Sequence, residues 1–423
     1  MQISTVDGEG MGRGAIRCGL FWLAVCGGLG LSAAGTQASE PGMTRAQAYA
    51  RAAALEALGR KMFVDPSLSA SGQMACTSCH DPQHAFASPN DRDVQFGGKD
   101  MKQPGFRAVP SLTYLQAVPQ FTEHYFESDD EGDASVDNGP TGGLTWDGRA
   151  DRGRDQARIP LLSPFEMAND GEAAVAAKVR QASYAAELAA IFGEDVLKND
   201  AGTFAAAVEA LEVFEQRERD FYPYSSKYDA YLAGRAQLTA QEARGLALFE
   251  DPDKGNCGNC HRSQRGNDGT PPQFTDFGLI ALGLPRNRNI PANADAKFFD
   301  LGVCGPLRTD MAARTEYCGL FRTPSLRNVA LRKTFYHNGA EHGLRKAIAF
   351  YVERDTRPEK WYPRAADGSV RKFDDLPAKY RDNIYREPPF GGKPGDAPRL
   401  SDTEIDDIVA FLNTLTDGYR PPP

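Results

Sequence analysis

Apolar positions along the chain recur mainly at helical spacing. Gln47 to Phe63 is rich in Ala and Leu and sets Leu55, Leu58 and Met62 on one face, which predicts an amphipathic helix. Thr239 and Glu242 form a capping-box pattern ahead of Leu246, Leu248 and Phe249. Ser401 and Glu404 form another ahead of Ile405, Ile408, Val409, Leu412 and Leu415. Strand signals are sparse, so the pattern predicts an all-α fold.

The helical pattern repeats. Gly59 to Phe63 (GRKMF) and Gly245 to Phe249 (GLALF) each close a helix, and each is followed by a short loop and a cysteine pair. Two related domains are expected, 39–230 and 231–423. They join near Tyr222 to Arg235, where Pro223 and a group of tyrosines interrupt the pattern. Phe121 to Gly143 carries Glu123, Glu127, Asp129, Asp130, Glu131, Asp133 and Asp137 among glycines. It reads as a solvated acidic loop, because the EF-hand order of ligands is not met.

The N-terminus reads as a signal peptide over residues 1–38. Arg13 and Arg17 precede an apolar run from Leu20 to Leu31, and Thr36-Gln37-Ala38 suits a cleavage site. That run is short for a membrane span, and no later segment is long and apolar enough for one. Export to the periplasm is expected. A net charge of −9 over 423 residues argues against nucleic acid as a partner.

Cysteine usage changes the picture most. Cys18 and Cys26 fall in the export segment. Cys304 and Cys318 suit one disulfide in an oxidising compartment. The other four lie in Cys76-Thr-Ser-Cys79-His80 and Cys257-Gly-Asn-Cys260-His261, the pattern of c-type haem attachment. Two thiols at this spacing bond the two vinyl groups of one haem, and the adjacent histidine reaches the iron. A zinc site would need both cysteine pairs on one metal, and a thioredoxin-like motif would need a βαβ context. Two covalently bound haem c groups are therefore expected, with His80 and His261 as metal ligands. The opposite axial positions stay open among His84, His124, His337, His342 and several methionines.

Trp146 to Arg149 (WDGR), Gln156, Pro160, Phe165 to Met167 (FEM), Phe321 to Asn328 (FRTPSLRN), Tyr336 to Gly339 (YHNG) and the helix Leu344 to Tyr351 follow in order. With the two CxxCH motifs, this series resembles the bacterial dihaem cytochrome c peroxidase and MauG family over nearly all of the mature chain. The resemblance implies two cytochrome c-like domains packed face to face, with hydrogen peroxide reacting at the first haem. It implies Glu166 as general acid–base there, Gln156 and Pro160 in the same pocket, and Trp146 as the stepping stone between the haems.

Branch-specific positions point to the MauG-like side. Peroxidases of the family place a methionine fourteen residues after the histidine of the YHNG-like segment, and here that position is Tyr351, as in MauG-like proteins. The stretch Val94 to Pro110, where other members hold a displaceable histidine, contains none; His124 is the histidine left that could reach that iron, and His84 sits on the wrong side. The resemblance thus implies a high-valent dihaem state that oxidises a partner protein by long-range electron transfer. Two alternatives stand beside it: a peroxidase detoxifying peroxide with electrons from a small cytochrome or cupredoxin, and a plain dihaem electron carrier. An inter-haem calcium, usual in the family, is doubtful, because Ala108 replaces the usual asparagine and the carbonyl positions fall at Arg332 and Thr334. Gly255 stands where MauG has a surface tryptophan, so the electron exit differs.

Overall fold

The structure, a computed structural model, describes residues 43–127 and 135–421. The expected export segment with Cys18 and Cys26, and Asp129, Asp130, Glu131 and Asp133 of the acidic stretch, lie outside the described residues. From Arg45 onward the chain forms one compact body.

The all-α expectation holds. Helices α1 (Arg45–Phe63), α2 (Gly153–Leu162), α3 (Glu172–Gln181), α4 (Ala185–Phe192), α5 (Asp200–Glu215) and α6 (Glu218–Phe221) build a first lobe. Helices α7 (Lys227–Leu232), α8 (Ala240–Glu250), α9 (Leu344–Glu353), α10 (Pro358–Trp361) and α11 (Asp402–Asn413) build a second. The described strands are two-residue antiparallel pairs, β1 (Phe96–Gly97) with β2 (Gln103–Pro104) and β3 (Leu279–Ile280) with β4 (Phe321–Arg322). Each lobe has its own core. One gathers Leu55, Leu58, Met62, Phe204, Leu211 and Phe221; the other gathers Tyr228, Phe249, Phe350, Ile405, Ile408 and Phe411.

The repeat has a packing cause. Gly59 of α1 lies against α5, and Gly245 of α8 lies against α11. A Cβ on Gly59 would collide with the Ala210 carbonyl and stand 2.7 Å from Phe214 Cβ; one on Gly245 would collide with the Asp407 carbonyl and stand 2.8 Å from Phe411 Cβ. In each lobe the helix ahead of the cysteine pair thus crosses a later helix at backbone contact, which only glycine permits. Both expected capping boxes form, Thr239 with Glu242 and Ser401 with Glu404.

Two expectations are refined. The joining segment Tyr222 to Arg235 is not irregular throughout. Ser226 and Asp229 make a further capping box, and Tyr228 buries itself in the second core, which is enough to hold α7. The described part of the acidic stretch is not simply solvated. Glu123 pairs with Arg314, Glu127 with Arg262, and Asp137 with His124 at 2.6 Å. These carboxylates pair locally or with arginines distant in sequence, which a charge count along the chain does not reveal. Cys304 and Cys318 form the expected disulfide.

Candidate active site

The two CxxCH segments fold alike. Each cysteine pair opens a single 3₁₀ turn, Cys76–Ser78 or Cys257–Asn259, and the histidine N–H donates back to the first cysteine's carbonyl at 2.9 and 2.8 Å. His80 Nδ1 lies 2.8 Å from the Phe86 carbonyl, and His261 Nδ1 lies 2.9 Å from the Phe274 carbonyl. A carbonyl can only accept, so Nδ1 carries the proton and Nε2 keeps its lone pair free for a metal. Burial pushes both imidazoles down to about 4, which keeps them neutral.

Each segment faces a cavity. The first cavity spans about 840 Å³ with its mouth and is lined by Cys79, His80, Trp146, Gln156, Pro160 and Glu166. The second spans about 1290 Å³ and is lined by Cys257, Cys260, His261, His337, Tyr351 and Trp146. Trp146 thus borders both. Its ring is buried, and Nε1 donates to the Ala108 carbonyl at 2.8 Å. Glu166 follows α2, and burial pushes its carboxyl above the usual range. Tyr351, on α9, stacks on Phe390, and burial pushes its phenol up as well.

The cavities suit haem by an independent test. Arg322 and Arg332 line the second one, and among the described residues neither makes an ion pair. Burial alone pulls both guanidinium groups down to about 10, and Arg332 Nη2 is buried with no hydrogen-bond partner. An unpaired buried cation is costly, and haem propionates are the anions that would satisfy these two. The positions named for an inter-haem calcium fit poorly. Ala108 offers no side-chain donor, its carbonyl already accepts from Trp146, and the Arg332 guanidinium lies 5.9 Å from the Trp146 ring. A cation there would face a positive charge already in place.

Apart from His80, no histidine lines the first cavity among the described residues. His84 pairs with Asp81 at 2.8 Å, and His124 sits exposed beside Asp137. His337 is buried and lies flat on Phe321, ring centroids 3.4 Å apart. His342 pairs with Asp93 at 2.8 Å.

Residues 53–237 match the family described as di-haem cytochrome c peroxidase. The methylamine utilization protein MauG of Paracoccus denitrificans is 34% identical over 380 residues, covering 87% of this chain and 90% of that protein. The chain belongs to the dihaem cytochrome c peroxidase and MauG family. The crystal structure of the dihaem peroxidase BthA from Burkholderia thailandensis superposes with a TM-score of 0.74 at 41% identity, covering 86% of both chains. A tyrosine-to-methionine variant of BthA superposes with a TM-score of 0.77. This dihaem peroxidase therefore has two cytochrome c-like domains packed together, and a dihaem c-type cofactor system goes with the family. Among the described residues no helix is long and apolar enough to cross a membrane.

Sequence reasoning missed part of this site. Arg107 donates to Asp300 at 2.6 and 2.7 Å and to Asp147 at 2.7 Å, tying the first cavity's wall to the second lobe. Arg322 was visible inside the FRTPSLRN run, but nothing in that run shows that its charge lies unpaired in a cavity. Phe390, which backs Tyr351, sits in a loop with no signature beyond its neighbouring prolines.

Proposed function

We propose that this chain is an exported peroxidase that reduces hydrogen peroxide in the first cavity and draws electrons from a small cytochrome or cupredoxin. The observation that carries the reading is the buried carboxyl of Glu166 in the same cavity as the free Nε2 face of His80. Haem held through Cys76 and Cys79, and through Cys257 and Cys260, would supply the two electrons that open the peroxide bond. Glu166 takes the proton from the incoming peroxide and returns it to the departing oxygen, a role typically worth 10²–10⁴ in rate. Gln156 and Pro160 bound the space in which peroxide lies. Trp146, bordering both cavities, passes electrons between them. The sum is hydrogen peroxide plus two electrons and two protons giving two waters. The disulfide between Cys304 and Cys318 favours an oxidising compartment, in keeping with export to the periplasm.

One observation favours a second reading. Tyr351 shares the second cavity with His261, so a phenolate can complete that iron's ligands. A hard anionic donor stabilises oxidised iron. The chain would then hold both oxidising equivalents and spend them on a tryptophan or tyrosine of a partner protein, as a MauG-type enzyme. A plain electron carrier has no use for a buried carboxyl beside an iron face left without a second histidine.

Stopped-flow mixing of the fully oxidised protein with one equivalent of peroxide tests the reading. A prompt change in the haem spectrum is expected, followed by oxidation of two equivalents of a reduced small c-type cytochrome. No spectral change in either the oxidised or the half-reduced protein overturns it. A prompt change without cytochrome oxidation favours the second reading.

A further inference from the structure

Outside both haem cavities, a small third cavity lies where the lobes meet. Trp146, Arg322 and Arg332 line one part of it, and Tyr114 lines another. From Tyr114 an aromatic series leads outward. Its ring lies 5.1 Å from that of Tyr224, and Tyr224 lies 6.4 Å from Tyr222. Tyr114 is 1% exposed, whereas the other two are only half-buried, so the series runs from the interior to the surface. The Arg327 guanidinium sits 4.6 Å from the Tyr114 ring and 4.7 Å from the Tyr224 ring, and its charge is neutralised by Asp229 at 3.0 Å.

Two features go beyond ordinary packing. Tyr114 and Tyr224 both adopt left-handed backbone conformations, φ 62° and 45°, which non-glycine residues hold only where the surroundings demand them. The Tyr114 hydroxyl donates to Asp417 at 2.8 and 2.9 Å and accepts from the Tyr224 N–H at 3.1 Å. Its proton is therefore directed at a carboxylate. Asp417 also accepts from the Ser225 N–H and hydroxyl and from the Asn328 side chain, which fix it against the Tyr114 hydroxyl.

We propose that Tyr114, Tyr224 and Tyr222 form a redox relay that carries electrons from the protein surface to the Trp146 region. The inference rests on the peroxidase reading, because hydrogen peroxide is the oxidant. When the peroxide reaction leaves the interior short of an electron, Tyr114 gives one up and its phenolic proton passes to Asp417 along the existing hydrogen bond. An electron from Tyr224 then restores the Tyr114 ring as its proton returns from Asp417, and Tyr224, like Tyr222 after it, releases its own phenolic proton to solvent on oxidation and regains one on reduction. Tyr224 is refilled through Tyr222, which an external donor can reach. Each peroxide reduced draws two such electrons, and the tyrosines end unchanged. The neutral Arg327–Asp229 pair holds the first two rings in place without adding net charge.

The test uses the full dihaem protein, produced with ring-deuterated tyrosine, mixed with peroxide alone and freeze-quenched for electron paramagnetic resonance. An organic radical narrowed by the deuteration is expected in the wild type. Tyr114→Phe should lose that signal, and Tyr224→Phe should keep it with slower decay. The haem spectral change on mixing, read in the same samples, should be retained in both variants. If the wild type shows no haem spectral change, the peroxidase reading falls and the relay falls with it. If the haems react but no deuterium-sensitive radical forms, or if it forms and decays alike in wild type and variants, the relay alone is overturned. Tyr224→Phe removes a hydroxyl bonded to Gln116 and Gln273 side chains, so it keeps the test open should Tyr114→Phe not fold.

Discussion

Tyr351 lies against Phe390, the ring centroids 5.4 Å apart and the planes 29° from parallel, and the Arg354 guanidinium lies over the Phe390 ring at 3.7 Å. The phenol is thereby held in one orientation within the cavity of His261. Burial keeps a phenol protonated unless a cation faces it, and ferric iron bound by His261 would be that cation. Tyr351→Phe is expected to change the ferric spectrum and paramagnetic resonance of the second haem and leave the first unaltered. An unchanged second-haem spectrum would take Tyr351 out of the ligand set.

Glu166→Gln should retain both haems and slow the peroxide reaction roughly 10²-fold or more, the low end of what a positioned acid–base group contributes. The pH dependence follows from burial, which raises this carboxyl. Only the ionised form can take the proton from peroxide, so the wild-type rate should fall as pH drops through the raised value. Stopped-flow rates across pH 4 to 8 would show that limb in the wild type and none in the variant. A shared limb would assign it to another group.

The sequence exposed what depends on local pattern. The helix periods, the capping boxes at Thr239 and Ser401, the CxxCH turns and the cysteine pair at Cys304 and Cys318 are each set by residues close in the chain. The repeat was legible too, although its cause was not: Gly59 and Gly245 matter because of Ala210 and Asp407, far along the chain. The same holds for Arg107, whose partners Asp147 and Asp300 stand 40 and 193 residues away. Arg322 and Arg332 look like any other charged residues until the fold shows them buried without an anion. Tyr222 and Tyr224 read as a break in the helical pattern, and only the edge-to-face series from Tyr114 through Tyr224 gives them a place. Roles for Glu166, Trp146 and Tyr351 came from the family resemblance rather than from periodicity.

Asp147 is fully buried between Arg107 and Arg149 and also accepts from the Thr145 hydroxyl at 2.6 Å. Burial pushes its carboxyl up, but the two guanidinium groups outweigh this and hold it at about 2. A depressed carboxyl contributes stability above its unfolded value, about 3.9, and that contribution is lost as pH falls toward 2. Asp147→Asn leaves the largely buried Arg149 with no carboxylate and Arg107 with Asp300 alone. A loss of about 3 kcal/mol is expected, the low end for breaking a buried pair. Thermal melting should show a large drop at pH 7 that shrinks near pH 2. An equal drop at both would mean the effect is steric rather than electrostatic.

The glycines at the two helix crossings should resist replacement. Gly59 and Gly245 are helical and have no positive φ, so backbone freedom is not the reason for them. In an open helix, alanine would stabilise by about 1 kcal/mol on propensity. Here the added methyl must displace a helix backbone, because the atoms it meets are the carbonyls of Ala210 and Asp407 and not the ends of flexible side chains. Overpacking of this kind costs typically about 1–3 kcal/mol and outweighs the propensity gain. Gly59→Ala should lower the melting temperature through the α1–α5 crossing, and Gly245→Ala through the α8–α11 crossing. Far from each other and without shared neighbours, the two losses should add in the double variant. Gly234→Ala offers a control, since its φ of 70° strains the backbone but no atom lies within 4 Å of the new methyl. If either crossing variant melts at or above the wild type, the helices are not in backbone contact there.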